Sequence, residues 1–194
     1  MNVEQLLEEI KSIIDETTFN GIKNAFLKAE DAHKKQFRDN RDLYIFHPLR
    51  VCLILARELK IKDKNTLMIA LLHDVVEDSD VTIEEIKALF GDKVAEGVDL
   101  LTKNIDFKDD ITYQNKYFWH LKRAPKKVQL VKLADRLDNL RDLATCGDII
   151  KQRKYILDTS YNYITWAKVI NPYIAAEMED LIFLFNDKSG DYDI

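Results

Sequence analysis

The sequence predicts an all-α fold, arranged as a single-domain helical bundle. Apolar residues recur three and four positions apart along almost the whole chain of 194 residues, which is the spacing of one helix face. Only 5 residues are glycine and 3 are proline, too few for the many turns of a β-sandwich or barrel. Hydrophobic residues make up 46% of the chain, so a full core is available.

In the first half of the chain, helices are predicted from stripes of apolar residues and from residue types that favour helix ends. Two stripes lead up to His33, and the stretch 37–46 is polar and irregular. Pro48 suits the first turn of a helix because proline has no N–H group to satisfy, and this helix should end near Leu59. Residues 64–76 then form an apolar helix.

The second half of the chain carries similar signals. Thr82 and Glu85 form a capping-box pattern that opens a short helix ending near Gly91. Five later segments also have helical spacing: 92–102, 112–122, 126–144, 149–169 and 172–185. A polar linker at 103–112 separates the first of these from the second. We expect one domain over residues 1–185 and a polar, mobile C-terminal tail over residues 186–194.

Charge and cysteine content narrow the possible functions. The formal net charge is −5, so the chain has no overall attraction for nucleic acid or anionic membranes. Cys52 and Cys146 are too isolated to form a disulfide framework. The longest apolar run, at 51–56, is far short of the roughly 18 residues of a membrane span, and the acidic start lacks a secretory pattern. We expect a cytoplasmic protein, and nothing in the pattern indicates a homo-oligomer.

The segment 71–78, Leu-Leu-His-Asp-Val-Val-Glu-Asp, is the most informative. His73 and Asp74 are adjacent at the end of an apolar helix, where charged groups need a partner or a metal. On a continuing helix, His73 and Glu77 would share one face, and Asp74 and Asp78 a neighbouring face. The alternative is a solvated helix end at which the histidine caps a carbonyl group.

Two further segments place polar groups among core residues. His47 precedes a predicted helix and stands among aromatic residues, where a histidine is more often a satisfied core residue than a ligand. Asp135 and Arg136 interrupt an otherwise core-facing helix. Taken alone, Asp135 is explained equally well by a local ion pair with Lys132 or Arg136.

Taken together, these sites resemble the HD-domain phosphohydrolase superfamily, in which a His, His-Asp, Asp pattern binds one divalent metal. The resemblance implies that the metal ligands here are His47, His73, Asp74 and Asp135. Such a mixed nitrogen and oxygen set suits Mn²⁺, with Fe²⁺ or another divalent metal as the alternative. It also leaves coordination positions open for water and phosphate.

Within the superfamily, the chain is most similar to the hydrolase domain of RelA/SpoT-type enzymes, over about residues 25 to 170. The segments that carry this likeness are 32–38, 44–48, 71–78, 90–103 and 132–141. Because no synthetase-like segment follows, we expect a small stand-alone alarmone hydrolase. That family removes the 3′-pyrophosphate from guanosine tetra- or pentaphosphate, usually with Mn²⁺.

The resemblance also implies a role for five other residues. Glu77 and Asp78 are the expected catalytic pair, which orients or deprotonates the attacking water. Arg38 would hold a phosphate group, and Asn139 would contact the ribose or a phosphate. Tyr163 matches a position near the nucleotide, although an aromatic core residue explains it equally well.

Three places depart from the family pattern. The loop 39–43 lacks the glycine and proline of the usual Lys-Ser-Gly-Glu-Pro-like sequence, and its Asp39 puts a negative charge where a cation would stack on the base. Asp138 replaces a preferred histidine, and Asp142 replaces a common threonine. Three alternatives therefore stay open: an HD-type phosphatase or nucleotidase for another nucleotide, a non-catalytic nucleotide-sensing module, and a helical interaction scaffold without a metal.

Overall fold

The protein folds into a bundle of α-helices, which confirms the predicted fold class. The computed structural model describes residues 2–39, 41–107, 110–143 and 146–189. The helices are α1 (Val3–Ile13), α2 (Glu16–His33), α3 (Phe46–Leu53), α4 (Lys64–Leu72), α5 (Ile83–Phe90), α6 (Asp92–Leu101), α7 (Ile111–Leu121), α8 (Lys126–Leu143), α9 (Ile149–Asp158), α10 (Ile164–Ile170) and α11 (Pro172–Ser189).

Helices α3, α4 and α8 pack against one another at the centre of the bundle. Each of the three contributes fully buried leucines to the hydrophobic core, among them Leu49, Leu71, Leu133 and Leu137. Burying one such side chain stabilises the fold by about 1.5–3 kcal/mol. These three helices carry all the expected metal ligands or end beside them, so the candidate site is built on the buried centre of the bundle.

The helix that carries His73 is shorter than the sequence predicts. α4 ends at Leu72 rather than continuing to residue 76, and residues 73–77 form a turn. The carbonyl oxygen of Ala70 would accept the N–H of Asp74 in a continuing helix, but here it accepts a hydrogen bond from Nδ1 of His73 over 2.7 Å. The prediction that His73 and Glu77 share one helix face is therefore wrong.

The segment 149–169 is helical as predicted, although the π-helical turn Thr159–Tyr163 interrupts its regular α-helical hydrogen bonding between α9 and α10. The hydroxyl of Thr159 donates to the carbonyl of Tyr155 over 2.7 Å, and Ser160 bonds the next carbonyl in the same way. Arg136 also donates to the Tyr155 carbonyl, over 2.9 Å. Side chains that compete for helix carbonyls bend a helix, which accounts for the interruption.

Other element boundaries lie close to the predicted ones. α3 begins at Phe46, two residues before Pro48, and continues as the π-type turn Ile54–Glu58. Thr82 caps α5 as predicted, since its hydroxyl oxygen accepts the N–H of Glu85 over 3.2 Å. α11 extends through Ser189, into the segment expected as a tail, and residues 190–194 lie outside the described residues. Among the described helices, none has the length and apolar character that crossing a bilayer requires.

Candidate metal centre and adjoining clefts

Four side chains from three parts of the chain meet at one point. Nε2 of His47 lies 3.2 Å from Oδ1 of Asp135, and Nε2 of His73 lies 3.8 Å from the same oxygen atom. Oδ2 of Asp74 lies 3.7 Å from Nε2 of His47 and 3.2 Å from Nε2 of His73. Donor atoms of the two histidines and Asp135 all lie within 4.8 Å of one another. The four residues therefore converge as the sequence pattern predicts.

Hydrogen bonds on the far side of each imidazole direct its Nε2 atom into this cluster. Nδ1 of His73 faces the carbonyl oxygen of Ala70 at 2.7 Å, and Nδ1 of His47 faces Oδ2 of Asp138 at 2.7 Å. Because carbonyl and carboxylate oxygens only accept, a hydrogen resides on each Nδ1, and the neutral form of either ring would present its Nε2 lone pair to the cluster. This is the arrangement that histidine ligands of metals adopt.

The donor set fits a divalent cation. Nε2 of His73 is buried and makes no hydrogen bond within the described part of the chain, although carboxylate oxygens surround it. A buried lone pair beside two carboxylates is costly unless a positive charge occupies the centre. Burial alone would lower the pKa of His73, but Asp74 and Asp135 outweigh it and raise that pKa well above its ordinary value.

Asp135 takes part in a local ion pair as well as in the cluster. Its Oδ2 atom accepts a hydrogen bond from Nζ of Lys132 over 2.7 Å, while its Oδ1 atom faces the two imidazoles and accepts from Nδ2 of Asn139 over 2.6 Å. Burial alone would raise the pKa of Asp135, but Lys132 and the imidazoles lower it well below the usual range. Asp135 therefore forms the local ion pair with Lys132 and also faces the two imidazoles, whereas Arg136 bonds instead to Asp158.

Glu77 and Asp78 lie in and just after the turn that follows α4. Oε2 of Glu77 accepts the N–H of Lys103 over 2.9 Å, and burial together with Asp74 raises the pKa of Glu77. Asp78 is exposed as a whole residue, but its carboxyl group is partly buried, and its Oδ2 atom lies 3.2 Å from the hydroxyl of Tyr44. Burial of its carboxyl group and the charge of Asp74 raise the pKa of Asp78.

A cleft of about 520 Å³ opens beside Glu77. Its walls combine basic and aromatic side chains, namely Lys103, Arg136, Lys151, Lys154, Tyr113, Tyr117, Phe118, Tyr155 and Tyr163. Cations can hold phosphate groups, and aromatic rings can stack on a base. Tyr163 forms a buried part of the wall and lies under the guanidinium of Arg136, at 4.1 Å from ring centroid to Cζ.

A second cleft of about 240 Å³ contains Arg38 and Asn139, and it adjoins the first because both are lined by Lys151 and Tyr155. Nη2 of Arg38 donates to Oδ1 of Asn139 over 2.6 Å. In the same cleft, Asp39 forms an ion pair with Lys151. The negative charge that departs from the family pattern is thus partly neutralised by a cation of the neighbouring helix α9.

Comparison with known protein families identifies the architecture. Residues 25–164 match the HD domain family. The chain belongs to the HD domain family. The HD domain described here is 37% identical over 186 residues to the bifunctional (p)ppGpp synthase/hydrolase SpoT of Escherichia coli K12, and 36% identical over 167 residues to the guanosine-3′,5′-bis(diphosphate) 3′-pyrophosphohydrolase of Aquifex aeolicus.

These alignments cover 93% and 84% of this chain but only 26% and 24% of the two relatives, so the chain spans about a quarter of their length. A solved structure described as a metazoan ortholog of SpoT that hydrolyses ppGpp has the same fold, with a TM-score of 0.77 and 26% identity. That match covers 88% of this chain and 96% of the other. The resemblance to SpoT-type HD domains is confirmed.

Several residues that surround the centre of this HD domain were not assigned a role from the sequence. Tyr44 donates a hydrogen bond to Oδ2 of Asp74 over 2.6 Å, and Lys132 neutralises Asp135. Lys103 supplies the backbone N–H that holds Glu77. The separation of three residues between Lys132 and Asp135 is a local signal of their contact. The contacts of Tyr44 with Asp74 and of Lys103 with Glu77 depend instead on how segments distant in sequence pack together.

Proposed function

We propose that this HD domain is a metal-dependent phosphohydrolase that releases pyrophosphate from the 3′ position of guanosine tetra- or pentaphosphate. The observation that carries the proposal is the convergence of His47, His73, Asp74 and Asp135 beside a cleft lined with basic and aromatic side chains. The names of the curated relatives supply the substrate.

The four residues would hold one divalent cation, and their two nitrogen and two oxygen donors favour Mn²⁺. The cation would lower the pKa of a water molecule and offset negative charge on the phosphoryl group. Lys132 keeps Asp135 ionised, and the hydrogen bonds to Nδ1 orient both imidazoles so that each Nε2 atom would face the cation. These contacts prepare the donor set before substrate binds.

Glu77 is the residue that we assign to proton transfer. Its raised pKa makes its carboxylate a better base at neutral pH than an ordinary glutamate, and the N–H of Lys103 fixes its orientation. Asp78, joined to Asp74 through the hydroxyl of Tyr44, orients the attacking water. Glu77 accepts a proton from that water and can return it to the departing oxygen atom.

The two adjoining clefts would divide the substrate between them. Arg38 and Asn139 contact a phosphate group and the ribose from one side, while the basic side chains of the larger cleft neutralise the remaining phosphates. Tyr163 contributes one face of the aromatic wall. The larger cleft offers four basic side chains, Lys103, Arg136, Lys151 and Lys154, to the phosphates, and the acidic Glu77 and Asp158 line it as well.

A second candidate is hydrolysis of another phosphorylated nucleotide. Asp39 and Asp142 both line the cleft that contains Arg38, and both are acidic where the family pattern is not. Acidic groups there would change which base or sugar is accepted, without altering the metal ligands. The reaction type is the same in both candidates, and the substrate differs.

The test is an assay of the Mn²⁺-loaded protein with guanosine tetraphosphate, in which ion-exchange chromatography follows GDP and pyrophosphate. We expect release of both in equal amounts, and an Asp74→Asn variant should release neither. A parallel panel of nucleotides decides between the two candidates by comparing kcat/KM. If a fully metallated protein turned over none of them, the phosphohydrolase proposal would be wrong, and binding without turnover would indicate a sensing module.

A further inference from the structure

The two acidic residues of α8 that depart from the family pattern flank a single arginine of α3. Arg50 bonds Asp138 through two atoms, with distances of 2.7 Å from Nε to Oδ1 and 2.9 Å from Nη2 to Oδ2. Nη2 of Arg50 also lies 2.5 Å from Oδ2 of Asp142. Asp138 and Asp142 are one helical turn apart, so both can face the same guanidinium. We call Asp138, Arg50 and Asp142 the ion triad.

One end of the ion triad contacts the metal centre. Oδ2 of Asp138 lies 2.7 Å from Nδ1 of His47, and the Asp138 side chain is only 2% exposed. A carboxylate in this position fixes both the tautomer and the rotation of a ligand imidazole. Because the two-atom fork of Arg50 holds Asp138 in turn, the direction of Nε2 of His47 depends on the arginine as well.

The other end of the ion triad contacts the residue expected to hold a phosphate. Oδ2 of Asp142 lies 3.2 Å from Nε of Arg38, and Nη2 of Arg38 donates to Oδ1 of Asn139. Asn139 in turn donates to Oδ1 of Asp135, which faces the metal centre. The contacts thus form a continuous series that begins at one expected ligand, His47, and ends at another, Asp135.

We propose that the ion triad positions two groups at once, the metal ligand His47 through Asp138 and the guanidinium of Arg38 through Asp142. The part that concerns Arg38 rests on the proposed function, whereas the part that concerns His47 needs only a divalent cation at the centre. Arg50 also compensates the two carboxylates, which would otherwise repel Asp74 and Asp135 in a poorly solvated region.

A second ion pair that involves α8 provides a control, because breaking it should affect stability without affecting the position of His47 or Arg38. Arg141 bonds both carboxylate oxygens of Glu58, over 2.7 and 2.9 Å, and contacts Glu177. Side-chain exposure is similar, at 32% for Arg141 and 27% for Arg50. Within the described residues, the hydrogen bonds of the Glu58 carboxylate go to Arg141 and Tyr173, which lie outside the ion triad and the candidate ligand set. Glu58→Gln is therefore the matched control.

The first experiment measures Mn²⁺ binding by isothermal titration calorimetry after the protein has been stripped with a chelator. We expect Asp138→Asn to raise the Kd about 10- to 100-fold, the usual effect of losing such a contact. Arg50→Lys keeps the charge but loses the fork, so its Kd should rise less than that of Asp138→Asn. Asp142→Asn and Glu58→Gln should stay within about twofold of the wild type, since the ion pairs described for Asp142 are with Arg38 and Arg50 and that of Glu58 is with Arg141.

The second experiment measures kinetics with guanosine tetraphosphate at saturating Mn²⁺. Asp142→Asn should raise KM roughly tenfold with little change in kcat, because it loosens a group that binds substrate. Asp138→Asn should regain most of its kcat when Mn²⁺ is raised. Circular dichroism and urea denaturation verify folding, and Arg50→Lys replaces Asp138→Asn if the latter fails to fold.

Wild-type Mn²⁺ affinity in a folded Asp138→Asn or Arg50→Lys variant would overturn the proposal, as would an unchanged or lower KM in Asp142→Asn. If Glu58→Gln lost as much Mn²⁺ affinity as Asp138→Asn, the ion triad would be shown to stabilise the fold without positioning His47. If the wild-type protein does not hydrolyse guanosine tetraphosphate, the proposed function fails. The Mn²⁺ titration then still decides whether the ion triad positions His47.

Discussion

The hydroxyl of Tyr44 donates a hydrogen bond to Oδ2 of Asp74 over 2.6 Å, and it lies 3.2 Å from Oδ2 of Asp78. Burial, together with the charges of these carboxylates, raises the pKa of Tyr44 far above its ordinary value, so the hydroxyl remains a donor at every physiological pH. Tyr44 also stacks on His33, with ring centroids 4.6 Å apart. One phenol thus joins an expected metal ligand to a carboxylate expected to orient water.

Replacing Tyr44 with phenylalanine should weaken Mn²⁺ binding about 10- to 100-fold, because Asp74 loses the donor that orients it. The ring and its stacking on His33 are retained, so the fold should be unaffected. Calorimetric titration with Mn²⁺ measures the change. Tyr161→Phe, at an exposed position, is the control. Equal affinity in both variants would show that the hydroxyl of Tyr44 does not support the metal.

Replacing Asp74 with asparagine should abolish the bound metal and all turnover, because a neutral amide is a much poorer ligand for a divalent cation. Elemental analysis of the purified variant, with circular dichroism to establish folding, measures the effect. Asp80→Asn alters an exposed carboxylate in the same segment and should retain the metal. Full metal content in the folded Asp74→Asn variant would exclude this residue from the ligand set.

Replacing Glu77 with glutamine should leave the metal content unchanged and lower kcat about 10²- to 10⁴-fold, the usual contribution of general acid–base catalysis. Elemental analysis and steady-state kinetics on the same preparation separate the two effects. Glu84→Gln, at an exposed position of α5, should have native kinetics. A rate near that of the wild type in Glu77→Gln would assign proton transfer to another group.

Mn²⁺ affinity should rise with pH. Burial alone would lower the pKa of His47 and of His73, but the surrounding carboxylates outweigh it and raise both above the ordinary 6.5. Each Nε2 atom must lose its proton before it can bind a cation, so protons compete with the metal below these raised values. We expect the Kd at pH 8 to be at least about tenfold lower than at pH 6.

Calorimetry in two buffers with different ionisation enthalpies counts the protons released when Mn²⁺ binds. We expect Mn²⁺ binding to release protons at low pH. The number released should fall as the pH rises through the raised pKa values of the two histidines. A Kd that does not change between pH 6 and pH 8 would mean that the two imidazoles are already neutral at pH 6.

Local signals in the sequence were sufficient to predict most of the helices and their boundaries. α8 was predicted at 126–144 and runs from Lys126 to Leu143, because Pro125 and a regular apolar stripe define it without help from other segments. The end of α4 was missed because it depends on one side chain, the ring of His73, which takes the carbonyl of Ala70 from the backbone. Spacing alone does not reveal that competition.

Some features of the candidate site could likewise be predicted from the sequence, and others could not. Resemblance to a family selected the four expected ligands, whereas the local surroundings of Asp135 indicated only an ion pair with Lys132, which is also present. Asp138 and Asp142 were recognised as unusual, but no role could be given to them. Their common partner, Arg50, belongs to another helix, and only tertiary packing brings it to them.

The expected ligands come from α3, from the turn after α4 and from α8, which are remote in sequence. A cation at their meeting point would cross-link the centre of the bundle, much as a disulfide joins distant segments. Since the unfolded chain has no such site, free metal at 100 times its Kd would add about 2.7 kcal/mol to the stability of the fold. Scarcity of that metal would then lower the stability of the folded protein as well as impair the proposed reaction.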